Sequence, residues 1–364
     1  MRAPLLRLLT TRPKHPNIRR VGLNPPQIDT TQRRSVRLPS RSNTVESLPL
    51  RGIALLHPSY PLPANALPMK VFYTDHYVLP LPDGHRFPMQ KYSLLREAVQ
   101  TYAPHSLEEA PAAQDDELLL AHDAAYVERM SNGTLTTTEV RQIGFPWSPQ
   151  MAERARRSTG ATLAAATASL TDRCAVNLAG GTHHAFADHG EGFCCYNDAA
   201  VAVRVVQRDH GIQRVLICDL DVHQGNGTAS IFRDDNSVFT FSMHGARNYP
   251  VRKEISDLDI ELDDGCDDAT YLAALHQHLP KIIYDFQPQA MIYLAGADPF
   301  EGDRLGRLKL SKSGLAARDH FVLELARDNA IPIAVTMAGG YAHDVADIVD
   351  IHFNTVRTAF EVFA

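Results

Sequence analysis

The sequence predicts an α/β protein of three layers, with helices on both faces of a mainly parallel central sheet in a single domain. Three observations lead there. From Val71 onward, short apolar segments alternate with amphipathic segments of helical length, the pattern of βαβ units. Some apolar segments, such as Val215-Leu216-Ile217-Cys218, are continuous, which marks strands buried on both faces. The segments between them are rich in Gly, His and Asp, as are functional loops carried on a rigid scaffold.

Taken in order, apolar character predicts strands over 71–73, 176–178, 214–218, 237–243, 291–295 and 332–337. Amphipathic character predicts helices over 92–101, 150–170, 197–209, 268–286, 312–328 and 345–362. The polar loops then fall at 179–196, 219–228, 244–257 and 296–310, and there is no internal repeat.

The chain has 364 residues, 44% hydrophobic and 21% charged, ordinary for a globular enzyme. No apolar run approaches the ~20 residues that span a bilayer. The five cysteines (174, 194, 195, 218 and 266) form no C-x-x-C pair and several lie in apolar runs, so reduced, buried thiols in a cytoplasmic setting are expected. Charge is uneven: residues 1–50 carry +8 and the remainder −14 of a net −6. The sequence therefore divides into a basic extension over 1–68, expected to be disordered, and a catalytic domain over 69–364. Three readings of the extension stand open: an organelle transit peptide, a nucleic-acid-binding arm, or a mis-called start with translation beginning at Met69. The acidic remainder argues against nucleic-acid binding by the core.

The segment Asp219-Leu220-Asp221-Val222-His223 leaves the strand that ends at Cys218. Period-two alternation would point residues 219, 221 and 223 to one face, at the strand's C-terminal end, where open α/β sheets bind ligands. Three further strand ends bring polar groups to that rim: Gly180-Gly181-Thr182-His183-His184, Gly296-Ala297-Asp298 and Gly339-Gly340-Tyr341. Asp221, His223 and Asp298 would make a three-ligand metal site with an open position, the mark of a catalytic rather than a structural zinc. Such an ion polarises a carbonyl and brings the pKa of water down to roughly 7. The histidine pair can carry protons, and Tyr341 can donate to a developing oxyanion.

These residues resemble the histone deacetylase family, a zinc-dependent group with the arginase/deacetylase fold, over roughly residues 70–362. The resemblance rests on G-G-T-H-H-A (180–185), G-F-C-C-Y-N-D (192–198), D-L-D-V-H-Q-G-N-G (219–227), G-A-D (296–298) and G-G-Y (339–341). The segments R-Q-I-G-F-P-W-S (141–148) and D-P-F-E-G-D-R-L-G (298–306) look most like the class IV branch and its bacterial relatives. The resemblance implies Zn²⁺, with Fe²⁺ suited to the same ligands, on Asp221, His223 and Asp298. It makes His184 the general base and then acid, His183 its electrostatic partner oriented by Asp219, and Tyr341 the carbonyl-polarising donor. Gly192 and Phe193 would line an acyl-lysine channel. Asp219, Ser242 and main-chain carbonyls would hold a K⁺ ion. Where many relatives place an aspartate behind the second histidine, this chain has Asn226, which orients His184 but stabilises its imidazolium less. Cys195 leaves the channel wall open, and the rim aspartate with which many relatives grip the substrate backbone has no evident counterpart.

The expected reaction is hydrolysis of an Nε-acyl-lysine amide, with a protein or a small acylated amine such as an acetylpolyamine as the partner. An arginase-like binuclear manganese site would need bridging carboxylates, and Gln224-Gly225-Asn226 offers none. A non-catalytic acyl-lysine-binding module would be expected to have lost a ligand or Tyr341. No G-x-S-x-G elbow supports a serine triad. Acyl-chain preference and oligomeric state are not legible.

Overall fold

The computed structural model describes residues 69–82 and 84–363; the basic extension over 1–68 lies outside them. Eight parallel strands form one sheet in the order β2-β1-β3-β8-β7-β4-β5-β6. They are β1 (Val71–Tyr73), β2 (Leu107–Glu109), β3 (Cys174–Asn177), β4 (Val215–Asp219), β5 (Val238–Gly245), β6 (Leu258–Leu262), β7 (Ala290–Ala295) and β8 (Ile333–Met337). The long helices are α1 (Lys91–Tyr102), α5 (Pro149–Asp172), α6 (Asp198–His210), α8 (Asp268–Phe286), α9 (Lys312–Asp328) and α10 (Val345–Phe363). Short ones intervene: α2 (Asp115–Leu118), α3 (Ala124–Asn132), α4 (Thr137–Ile143) and α7 (Asn226–Phe232).

The central strands alternate their side chains between two cores. Leu216 and Cys218 of β4 join Tyr293 of β7 and Val335 of β8 in a core with α1, α8, α9 and α10. Val215 and Ile217 face the other way, against α5 and α6. Helix starts are set locally. Ser148 accepts from Met151 N ahead of Pro149, and Asn197, Asp267 and Ser311 cap α6, α8 and α9 in the same manner, each satisfying an otherwise orphaned amide.

Strands β2 and β6 are absent from the sequence reading. Both are edge strands, mostly half-buried or exposed, so neither has the continuous apolar run by which buried strands are recognised. The short helices were also missed, because four to nine residues carry too few periods to show a face. The four functional strands, however, are consecutive in the sheet as β3-β8-β7-β4, so their C-terminal loops share one stretch of rim.

Arg318 of α9 secures that rim from beneath. Its side chain is fully buried, and Nη1 donates to the carbonyls of Leu220 (3.2 Å) and Gly296 (2.7 Å), in the loops that follow β4 and β7. Nε donates to Asp319 at 2.8 Å, and the hydroxyls of Tyr293 and Thr355 also donate to that carboxylate. Breaking one side of a buried ion pair strands the other charge. Arg318→Met should therefore cost about 3–5 kcal/mol, read as a lowered denaturant midpoint at unchanged m-value. Lys281→Met, which removes the exposed pair with Asp285, should leave the midpoint nearly where it was.

Candidate metal centre

Strand β4 ends at Asp219, and residues 221–223 lie in a bend rather than in an extension of the strand. The expected single face of 219, 221 and 223 is therefore corrected. Asp221 and His223 turn together toward Asp298, while Asp219 sits behind them and meets His183. His223 N and Nδ1 both lie 2.9 Å from Asp221 Oδ1, and Nδ1 lies 3.2 Å from Asp298 Oδ2. Gly339 N donates to Asp221 Oδ2 at 2.7 Å, and Val222 N to Asp298 Oδ1 at 2.9 Å.

One donor atom each from Asp221, His223 and Asp298 falls within a mutual 4.8 Å, and all three residues are buried. Burial drives the Asp298 carboxyl up, to about 7, with the charge of Asp221 adding to it. Burial alone would lower His223, but its bonds to Asp221 and Asp298 prevail and push it to about 10. In effect a proton on His223 Nδ1 stands between two carboxylates where a cation would neutralise both. Asp298 Oδ2 is buried, and among the described residues its polar contact is this ion pair with His223 Nδ1. A mixed set of nitrogen and carboxylate oxygen suits Zn²⁺ or Fe²⁺, so the residues fit such an ion. Among the described residues this is the one cluster of its kind.

The histidine pair arrives on a glycine turn. Gly180 and Gly181 have φ of +84° and +66°, and a Cβ on Gly180 would lie 2.0 Å from Thr336 Oγ1, so neither position accepts a side chain without strain. Asp198, at the start of α6, clamps the turn by accepting from Gly181 N, Thr182 N and Thr182 Oγ1. His183 Nδ1 then donates to Asp219 Oδ2 at 2.6 Å, and His184 Nδ1 to Asn226 Oδ1 at 2.6 Å. The two rings lie 4.1 Å apart, centroid to centroid, yet their environments push them in opposite directions. Burial would lower His183, but Asp219 and Asp221 raise it to about 9. Burial and the neighbouring His183 hold His184 well below its usual value.

Glu191 was not singled out in the sequence. Asn226 Nδ2 donates to Glu191 Oε1 at 2.5 Å. A carboxylate only accepts, so it must meet the amide NH₂, which turns Oδ1 toward His184 and puts that ring's proton on Nδ1. Nε2 is left as the acceptor. The available signal was an acidic residue just before the Gly-Phe turn of a polar loop. Tyr249 was missed as well; its ring packs edge-on to His184 at 4.9 Å.

Tyr341 is positioned by its backbone. Its N donates to Asp303 at 2.6 Å, and its carbonyl accepts from Arg304 Nε at 2.8 Å. Burial, with Asp298 and Asp221 nearby, holds its phenol well above the usual value, so it is a donor at neutral pH. Gly192 and Phe193 line the cavity above the cluster together with Tyr341, and Phe193 packs on Phe87 and Phe145. Cys194 and Cys195 are both buried, and the carbonyl of Cys195 accepts from Tyr126 Oη. Asp219 and Ser242 pair in register on β4 and β5. There Asp219 accepts from His183 and Asp221 N, while Ser242 Oγ meets His244 at 2.9 Å.

Comparison with known proteins places this fold in a class, that of the deacetylase hydrolases. The sequence matches the Histone deacetylase domain over residues 85–356, and the chain belongs to the histone deacetylase family. It is 42% identical over 302 residues to an uncharacterized protein of Picosynechococcus sp., covering 80% of this chain and 99% of that one. It is 32% identical over 242 residues to histone deacetylase 2 of Arabidopsis thaliana, covering 64% and 62% of the two chains. The crystal structure of the HDA15 HD domain superposes with a TM-score of 0.67 at 24% identity, over 81% of this chain and 88% of that chain, a likeness of fold.

The relay behind His184 can be tested by moving its carboxylate. The double variant Asn226→Asp, Glu191→Gln places a charge directly on His184 Nδ1, which stabilises the imidazolium and raises its pKa. The acidic limb of kcat/KM should therefore move to higher pH; an unmoved or lowered limb would contradict this reading.

Proposed function

We propose that this chain hydrolyses the Nε-acyl-lysine amide of proteins, acetyl-lysine first among them, with Zn²⁺ (or Fe²⁺) held by Asp221, His223 and Asp298. The observation that carries the proposal is that three buried ligand residues cluster together, and two of them, Asp221 and His223, line the same cavity as His184 and Tyr341. When bound, the ion supplies Lewis-acid polarisation of the acyl carbonyl and acidifies water.

The protein's own groups perform the rest. Gly192 and Phe193 receive the apolar lysine stem. Tyr341 Oη donates to the carbonyl oxygen as it gains negative charge. His184 Nε2, freed as an acceptor by the Asn226 contact, takes a proton from the attacking water and returns it to the leaving amine. His183, held by Asp219, keeps a positive charge beside the site. A structural K⁺ near Asp219 and Ser242 belongs to the same reading.

A cytoplasmic location belongs to the same proposal, and the three readings of the extension over 1–68 stay open. Among the described residues no helix is long and apolar enough to cross a membrane, and all five cysteines are free.

The test is turnover of acyl-lysine peptides of graded chain length by metal-reconstituted protein, with acetylpolyamines alongside. Tyr341→Phe should lower kcat about 10²–10³-fold with KM little changed, the signature of a donor used in the transition state. Near-native turnover by that variant would remove Tyr341 from the mechanism. Asp298→Asn should abolish stoichiometric metal binding, read by elemental analysis, because a neutral amide leaves the ion one carboxylate short.

A further inference from the structure

The outer half of the channel has a feature the proposed chemistry does not use. Its lining includes Arg86, Arg141, Arg247 and Arg307 beside His184, Phe193 and Tyr341, and no carboxylate among the described residues. Arg141 lies in the last turn of α4 and the other three come from separate loops, and each of these segments is tied to the channel wall. The last two carbonyls of α4, on Gln142 and Ile143 just after Arg141, accept from Gly192 N and Phe193 N. The Arg86 carbonyl accepts from Arg304 Nη2 at 3.2 Å, and His85 Nε2 bonds Gly144 O at 3.0 Å. Arg307 N donates to Asn248 Oδ1 at 3.2 Å, joining its loop to that of Arg247.

Glu191, beside Gly192, is engaged by Asn226 and Tyr249, and other counter-charge among the described residues at this mouth is thin. Asp264 is shared, 3.7 Å from Arg247 and 3.3 Å from Arg307, whose side chains are 75% and 55% exposed. Among the described residues Arg86 and Arg141, both exposed, have no carboxylate partner. This basic ring stands on a chain whose residues 51–364 carry −14. The field of the whole body favours cations at a distance, but salt screens it beyond roughly 8–10 Å, so groups seated at the mouth meet the guanidinium ring instead.

We infer that the arginine ring at the channel mouth selects acyl-lysines flanked by acidic residues and disfavours polycationic substrates. The inference rests on the acyl-lysine reading of the site. An acylated lysine is neutral, so the reacting side chain expresses no charge preference, and whatever remains outside the channel does. An acetylpolyamine would leave free ammonium groups among the arginines, and so would a lysine-rich tail. Aspartate or glutamate there would meet planar guanidinium groups able to grip carboxylates through two hydrogen bonds.

The experiment uses the full-length, zinc-loaded protein and three acetyl-lysine peptides that differ only in acidic, neutral or basic flanking residues, with N-acetylspermidine. Two readouts are taken: kcat/KM, and peptide affinity by fluorescence anisotropy on the Tyr341→Phe protein. The acidic peptide should lead the basic one by about tenfold in both, and about 0.5 M salt should narrow the gap, as screening of exposed pairs requires. Arg141→Glu should reduce or reverse the preference, while Arg141→Lys, which keeps the charge but loses the two-bond grip, should retain its direction at a smaller size.

Equal values for the three peptides, an acidic preference untouched by Arg141→Glu, or faster turnover of N-acetylspermidine than of the acidic peptide would each overturn the inference. So would tight binding of a single-stranded oligonucleotide without any preference among the peptides, which would assign the ring to nucleic acid. Preferential binding of the acidic peptide without turnover of any substrate would uphold the ring and sink the deacylase reading. Turnover without preference would do the reverse.

Discussion

Asp221 and Asp298 are buried side by side, and two carboxylates withdrawn from water cannot both stay ionised without a positive charge between them. That constraint organises the rim of the sheet. It accounts for the rise of Asp298 to about 7 through burial and the neighbouring charge, and for the elevation of His223, whose ring nitrogen supplies the missing positive charge. A divalent cation answers the same need with more charge and defined geometry, which is why this arrangement is read as a metal centre. An apolar core would gain nothing by keeping such a group.

Much of the surrounding structure holds that repulsion in place. Arg318 grips the Leu220 and Gly296 carbonyls, tying together the two loops that deliver the carboxylates. Asp198 fixes the glycine turn of the histidine pair, and Asp303 fixes the Tyr341 backbone. Glu191 acts at one remove, through an amide that has only one consistent orientation once its NH₂ meets a carboxylate. The chain thus keeps a negative charge in the region behind His184 while placing a neutral group against the ring. An imidazole so arranged is oriented without being made much more basic.

The division between what was legible in the sequence and what was not follows physical lines. Strands β4, β7 and β8 were legible because burial on both faces leaves continuous apolar runs. The polar groups at their ends were legible because glycine turns and paired histidines are uncommon in plain packing. Strands β2 and β6 left little trace, having one neighbour each and partly solvated faces. The alternation rule misplaced Asp219 because the chain bends after that residue, and no local pattern announces the bend. Arg318 and Glu191 were illegible for another reason. Their partners at Leu220, Gly296 and Asn226 lie between 22 and 98 residues away, so tertiary placement alone gives them meaning.

The strand order β2-β1-β3-β8-β7-β4-β5-β6 keeps the loops of the candidate site in the middle of the sheet and leaves β2 and β6 at its two margins. Evolution can lengthen, trim or decorate those outer strands, or dock an accessory module against them, without disturbing the geometry between β3 and β4. Diversification in proteins built this way should accordingly accumulate at the flanks, while the centre tolerates little drift.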